Sequence, residues 1–259
     1  MKKLIVANWK MNPETVEQAR KLVASWEHRM HAVADHVEVV VCAPFVYLPI
    51  LSHNGHQVKL GAQNVSWSDA GALTGEISVL MMKQWNVQFV ILGHSERRLF
   101  LGETDSVINA KIGECLKHQM TPIVCLGGEQ GAEKEHMKGL VTKQFAAVTK
   151  DLVKKQLEKI IYVYEPVWAI STMNKSEPAT GEHAVELIEH IYDLLADRIG
   201  QAESRNIRVL YGGTVNRNNV SEYSRFPKID GALVGAASLD SESFWDVVKE
   251  FNREAIHHS

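Results

Sequence analysis

The 259-residue chain predicts an α/β protein, a closed (β/α)8 barrel, and two observations lead there. Eight short β-branched apolar runs recur along it, nearly continuous in hydrophobicity, as parallel strands covered on both faces are. Between them lie segments with apolar residues at helical spacing. Eight such strand–helix units in a chain of about 250 residues fit one barrel. The main rival, a doubly wound open sheet, would place a GxGxxG after the first strand, and none is there. No low-complexity linker divides the sequence, so residues 1–259 are expected to form a single domain.

The predicted strands, in order, are LIVAN (4–8), VEVVVCA (37–43), VKLGAQ (58–63), VQFVIL (87–92), TPIVCL (121–126), IIYVY (160–164), IRVLY (207–211) and GALVG (231–235). Segments such as VEQARKLVASWEHRM (16–30) and AVELIEHIYDLLADRI (184–199) supply the helices. A hydrophobic content of 45% and a charged content of 23% are those of an ordinary globular protein.

A net charge of −3 gives no basic field for nucleic acid, so an anionic ligand needs locally placed donors. No apolar run approaches the roughly 20 residues needed to cross a bilayer, which argues against a membrane partner. The start MKKLIVANWKMN is broken by Asn8 and Lys10 and has no small-residue cleavage site, so it is not read as a signal peptide. Cys42, Cys115 and Cys125 are odd in number and unpaired in spacing. Buried free thiols in a reducing cytoplasm are the expectation.

In a barrel of this kind, reacting groups belong at the carboxyl ends of the strands. Polar residues collect there: Asn8 and Lys10 after the first, His94 and Glu96 after the fourth, Glu165 after the sixth. The seventh and eighth end in the glycine-rich turns YGGTV and VGAAS. Each has a plain alternative. Glu165 is a desolvated base or an ion-paired rim carboxylate. His94 is a site group or a hydrogen-bonded core histidine, with Ser95 as the expected cap of the helix beyond it. Lys10 stabilises developing negative charge or is a solvated lysine. The glycine turns bring backbone N–H groups to an anion or merely turn the chain.

Together NWKMN, GHSERR, YEPVWAI, YGGTV and GALVGAASL, in this order, resemble the triosephosphate isomerase family, and GAQNVSWSDAGALTGEIS extends the likeness into the third loop. The resemblance implies a TIM barrel that interconverts dihydroxyacetone phosphate and glyceraldehyde 3-phosphate in glycolysis and gluconeogenesis, with no cofactor and no metal. It implies Glu165 as the base and Lys10 as the cation. In the triosephosphate isomerase family the counterpart of His94 stays neutral and polarises the substrate carbonyl, and the resemblance implies that role for His94. Asn8 would bind a substrate oxygen or orient Lys10, and Glu96 would pair with Lys10 or with a nearby hydroxyl, in a positioning or proton-relaying role. Phosphate would meet Ser171, Thr214, Gly235 and Ala236, along with Asn8 and Lys10. Pro166, Val167 and Trp168 would form the hinge of a closing loop. The third loop would insert into a second copy of the chain, with Thr74 at the interface of a cytoplasmic homodimer.

The chain departs from the family pattern at Ser171 and Met173, where glycines are usual, in a loop about two residues longer, in the extra residue of CLGGEQ, and at Ala236. These changes motivate a paralogous isomerase acting on a tetrulose phosphate such as erythrulose phosphate. A non-catalytic phosphate-binding barrel is the reading from a different class. Glu165→Gln separates it from both, since it would leave binding but abolish turnover in an enzyme.

Overall fold

The computed structural model describes residues 1–52, 57–128, 134–166 and 179–257. Eight strands, β1 (Lys3–Asn8), β2 (Val37–Ala43), β3 (Lys59–Ala62), β4 (Phe89–Leu92), β5 (Thr121–Leu126), β6 (Ile161–Tyr164), β7 (Val209–Tyr211) and β8 (Gly231–Val234), close into a barrel. Every neighbouring pair is parallel, and β8 returns to β1, with Leu4 opposite Gly231 and Ala7 opposite Val234. A closed parallel ladder satisfies the backbone groups that an open edge would leave unpaired.

Alternation along the strands divides the apolar side chains into two cores. Among the described residues a buried apolar cluster that includes Leu4, Val6, Ile91, Ile123, Val163 and Leu233 fills the barrel interior. The outward set, including Ile5, Val39, Val90, Val124 and Tyr162, packs beneath the helices. Helices Val16–Glu27, Asp105–Lys117, Met137–Val148, Gly181–Ile199 and Ser241–His257 cover it. The first is entered through a capping box in which Thr15 and Gln18 exchange hydrogen bonds. All three cysteines are buried and free. Among the described residues, no helix is long and apolar enough to cross a membrane.

The two ends of the barrel differ in chemistry. The amino-terminal end carries Lys3, Glu38, Lys59, Arg208 and Asp230, all engaged with one another or with backbone. The carboxyl end carries Asn8, Lys10, His94 and Glu165 around a cavity.

Candidate active site

Lys10 leaves β1 in the left-handed region, with φ +54. A lysine adopts that conformation only when its surroundings enforce it, at a cost of about 1–3 kcal/mol. Two contacts do so. The Asn8 carboxamide oxygen accepts the Lys10 N–H at 3.1 Å. From the end of β3, Gln63 donates through Nε2 to the carbonyls of Lys10 and Cys42, both at 2.9 Å. The ammonium reaches Glu96 Oε1 at 2.6 Å. Gly235 gives the lysine its room, because a Cβ there would stand 3.2 Å from Lys10 Cε.

His94 follows β4 and is itself the N-cap of helix Ser95–Leu101. Its Nδ1 accepts the Glu96 N–H at 3.3 Å, which places the imidazole proton on Nε2. The expected Ser95 cap is thus corrected. Ser95 is the first helical residue, its backbone N–H donates to Glu165 Oε2 at 2.9 Å, and its hydroxyl has no partner among the described residues. A ring nitrogen can take the capping role because it presents a lone pair to the exposed N–H groups of the first turn.

Glu165 follows β6, where its N–H bonds the Leu126 carbonyl at 2.7 Å. Its side chain is 1% exposed, and Oε1 stands 3.2 Å from His94 Nε2. Burial, and then the neighbouring Glu165 carboxylate, push the Cys125 thiol well above its usual value. The thiol therefore stays neutral and adds no charge beside the carboxylate.

Asn8, Lys10, His94, Glu165, Thr214, Gly235 and Ala236 all line one cavity of about 350 Å³. The structure brings these expected residues together. Glu96 stands behind Lys10, and Pro166 is buried next to Glu165. Ala236 opens the short 3₁₀ turn Ala236–Leu239 and is outside the left-handed region, so its methyl group imposes no backbone strain where the family has glycine. Val167, Trp168, Ser171 and Met173 lie outside the described residues. Thr74 is exposed on the connection between β3 and β4 and lines neither this cavity nor the next.

A second cavity, of about 290 Å³, opens on the other side of Lys10 and Glu96, between Met11, Phe45, Gln63 and Leu101. Behind it Lys111 is buried against Glu103 and donates to the Asn64 carboxamide oxygen at 2.7 Å. Gln63 was missed by sequence reasoning. Its position immediately after a strand was the available signal.

The chain matches the triosephosphate isomerase family over residues 3–251. The chain belongs to this family. It is 40% identical over 252 residues to the triosephosphate isomerase of Dictyoglomus thermophilum, covering 96% of this chain and 99% of that one. To its counterpart in Dictyoglomus turgidum it is 38% identical over 251 residues, with the same coverage. To that of Acetivibrio thermocellus it is 40% identical over 256 residues, covering 96% and 98%. In this chain Glu165 and His94 are in contact, and Lys10 opens onto the same cavity.

Proposed function

We propose that this chain interconverts dihydroxyacetone phosphate and glyceraldehyde 3-phosphate through an enediolate, as one barrel domain. The observation that carries the residue roles is the 3.2 Å approach of Glu165 Oε1 to His94 Nε2 inside the cavity that holds Lys10. Glu165 takes the proton from the carbon next to the carbonyl. The electron pair moves into the new C=C bond, and negative charge collects on the carbonyl oxygen. His94 Nε2–H and the Lys10 ammonium meet that oxygen, and both are worth more to the enediolate than to the neutral ketone. The proton of the neighbouring hydroxyl passes to that oxygen by way of His94 Nε2, and Glu165 then returns the carbon's proton to the former carbonyl carbon as the new carbonyl forms next to it. While its Oε2 is bonded to the Ser95 N–H, the carboxylate is parked, so substrate must draw it away from that donor.

Thr214, Gly235 and Ala236 take the phosphate through backbone N–H groups and a hydroxyl. Ser171, by resemblance, adds to them. No residue role calls for a cofactor or metal. The tetrulose-phosphate alternative gains nothing from the described residues, because Ala236 sits without strain. Purified protein is expected to isomerise glyceraldehyde 3-phosphate far faster than any tetrulose phosphate. The reverse preference would overturn the substrate assignment.

The partner is a second copy of the chain in the cytoplasm. Met11 (95% exposed), Val46, Trp67, Phe100 and Leu101 expose apolar surface among the described residues. On this reading the cavity beside Lys10, lined by Met11, Phe45 and Leu101, would receive the loop carrying Thr74 from another copy. On the third loop Asp69 is anchored by Lys117 at 2.6 Å and by His118 at 2.6 Å. Full activity of a diluted, demonstrably monomeric sample would contradict the dimer.

A further inference from the structure

Tyr211 and Tyr223 lie behind the turn that lines the substrate cavity and take no part in the chemistry above. Tyr211 ends β7 and runs directly into Gly212–Thr214, which lines the cavity. Its ring lies so close under that turn that a Cβ on Gly213 would fall 2.1 Å from the phenol oxygen. Tyr211 stacks on Tyr223, with centroids 4.1 Å apart and planes 22° from parallel. The Tyr211 hydroxyl donates to that of Tyr223 at 3.4 Å, and the Tyr223 hydroxyl donates to the Ala179 carbonyl at 2.8 Å. Burial pushes both phenols above their usual value, so both remain donors at any assay pH.

Tyr223 belongs to the short helix Val220–Ser224. Asn219, just ahead of it, donates through Nδ2 to the Thr214 carbonyl at 2.8 Å, a second tie to the same turn. On its other side this helix meets the start of Gly181–Ile199. A Cβ on Gly181 would stand 2.1 Å from the Glu222 carbonyl oxygen and 2.6 Å from the Phe226 ring. Thr180 caps that start, its hydroxyl accepting the His183 N–H. The cavity turn, helix Val220–Ser224 and the start of helix Gly181–Ile199 therefore form one packed junction, and the Tyr223 hydroxyl connects its parts.

We infer that Tyr223 is a positioning residue for phosphate recognition: held between Tyr211 and the Ala179 carbonyl, its hydroxyl fixes the Tyr211 ring beneath Gly213 and so sets the Gly212–Thr214 backbone against the substrate phosphate. Stacking alone resists separation of the rings but permits sliding. The buried hydrogen bonds supply the missing direction, and removing one hydroxyl strands its partners. Neither tyrosine lines the cavity with Glu165 and His94, and the Tyr211 ring lies under Gly213, one residue beyond the Gly212 that packs against Glu165, so the effect is assigned to the phosphate end of the ligand. The inference rests on the isomerase reading above.

The variant Tyr223→Phe keeps the ring and its stacking. Its turnover of glyceraldehyde 3-phosphate is compared with its proton exchange on phosphate-free glyceraldehyde in D2O, and inorganic phosphate binding is measured by calorimetry. On the phosphate substrate kcat/KM should fall about three- to tenfold, mainly through KM, and phosphate binding should weaken by a similar factor. Exchange on glyceraldehyde should stay within about twofold. Equal losses on both substrates would indicate a general structural lesion and overturn the inference, and so would the absence of any loss. Tyr211→Phe breaks the same chain from its other end, so the double variant should be no worse than the poorer single one; additive losses would also overturn it. Wild-type turnover of the triose phosphate tests the isomerase reading separately. The variant-to-wild-type ratio in phosphate binding tests Tyr223 even if that turnover fails.

Discussion

At the amino-terminal end of the barrel, charge is closed on itself; at the carboxyl end it faces a cavity. Glu38 on β2 meets Lys59 and Arg208, each at 2.6 Å. Burial alone would raise the Glu38 carboxyl, but these two cations outweigh it and hold it below its usual value. Lys3 donates to the Pro227 and Ile229 carbonyls at 2.9 and 2.7 Å. Asp230 accepts from the Val209 N–H at 2.9 Å and from the Tyr192 hydroxyl, and burial pushes it up. At the other end Lys10 pairs with Glu96, stands in a strained conformation and lines the cavity with Glu165. The same residue types therefore stabilise the fold at one end and remain available for chemistry at the other. Their neighbours decide which.

Substitutions at the two ends should separate rate from stability. Lys10→Met should lower kcat/KM by about 10²–10³ while shifting stability by no more than about 1 kcal/mol, because its pair with Glu96 is partly solvated. Steady-state kinetics beside a urea titration reads both. A large fall in stability with little loss of rate would place Lys10 with the structural set. Glu38→Gln should do the reverse, lowering stability by about 2 kcal/mol through the stranded Lys59 and Arg208 and leaving kcat unchanged. Impaired catalysis in a fully folded Glu38→Gln sample would break the division between the ends.

The smallest effect concerns pH. Burial, assisted by Lys134 and Lys138 and opposed by Glu186, holds the His183 imidazole below its usual value. The Tyr164 hydroxyl lies 3.0 Å from its Nε2. The folded state thus disfavours the proton that the unfolded chain takes up near pH 6.5. Its contribution to stability is complete above that pH and is lost as pH falls below it toward the lowered folded value. Between pH 7.5 and 5.5 this group should lower Tm by at most about 3 °C. In His183→Gln that part of the decline should disappear. An unchanged slope would assign the decline to other groups.

Much of this arrangement was legible in the sequence. Continuous β-branched runs mark buried parallel strands, and all eight lie within two residues of the expected limits. The strand-end rule placed Asn8, Lys10, His94 and Glu165 around a common cavity. What sequence could not convey depends on contacts between distant segments. The left-handed Lys10 is enforced from β3 by Gln63, and nothing about a lysine announces that conformation. Ser95 looked like a cap because serine usually is one, whereas the preceding imidazole took the role. The junction at Tyr223 joins residues 44 positions apart and leaves no local pattern.

Isomerisation of dihydroxyacetone phosphate in D2O, followed by proton NMR for wild type and Glu165→Gln, tests the central claim most directly. A proton held by a carboxylate between removal and return exchanges with solvent, so the wild-type product should carry deuterium at the reacting carbon. Glu165→Gln should lose about 10²–10⁴ in rate while still binding phosphate. Isomerisation with no deuterium in the product, or a wild-type rate in Glu165→Gln, would contradict proton transfer through this residue.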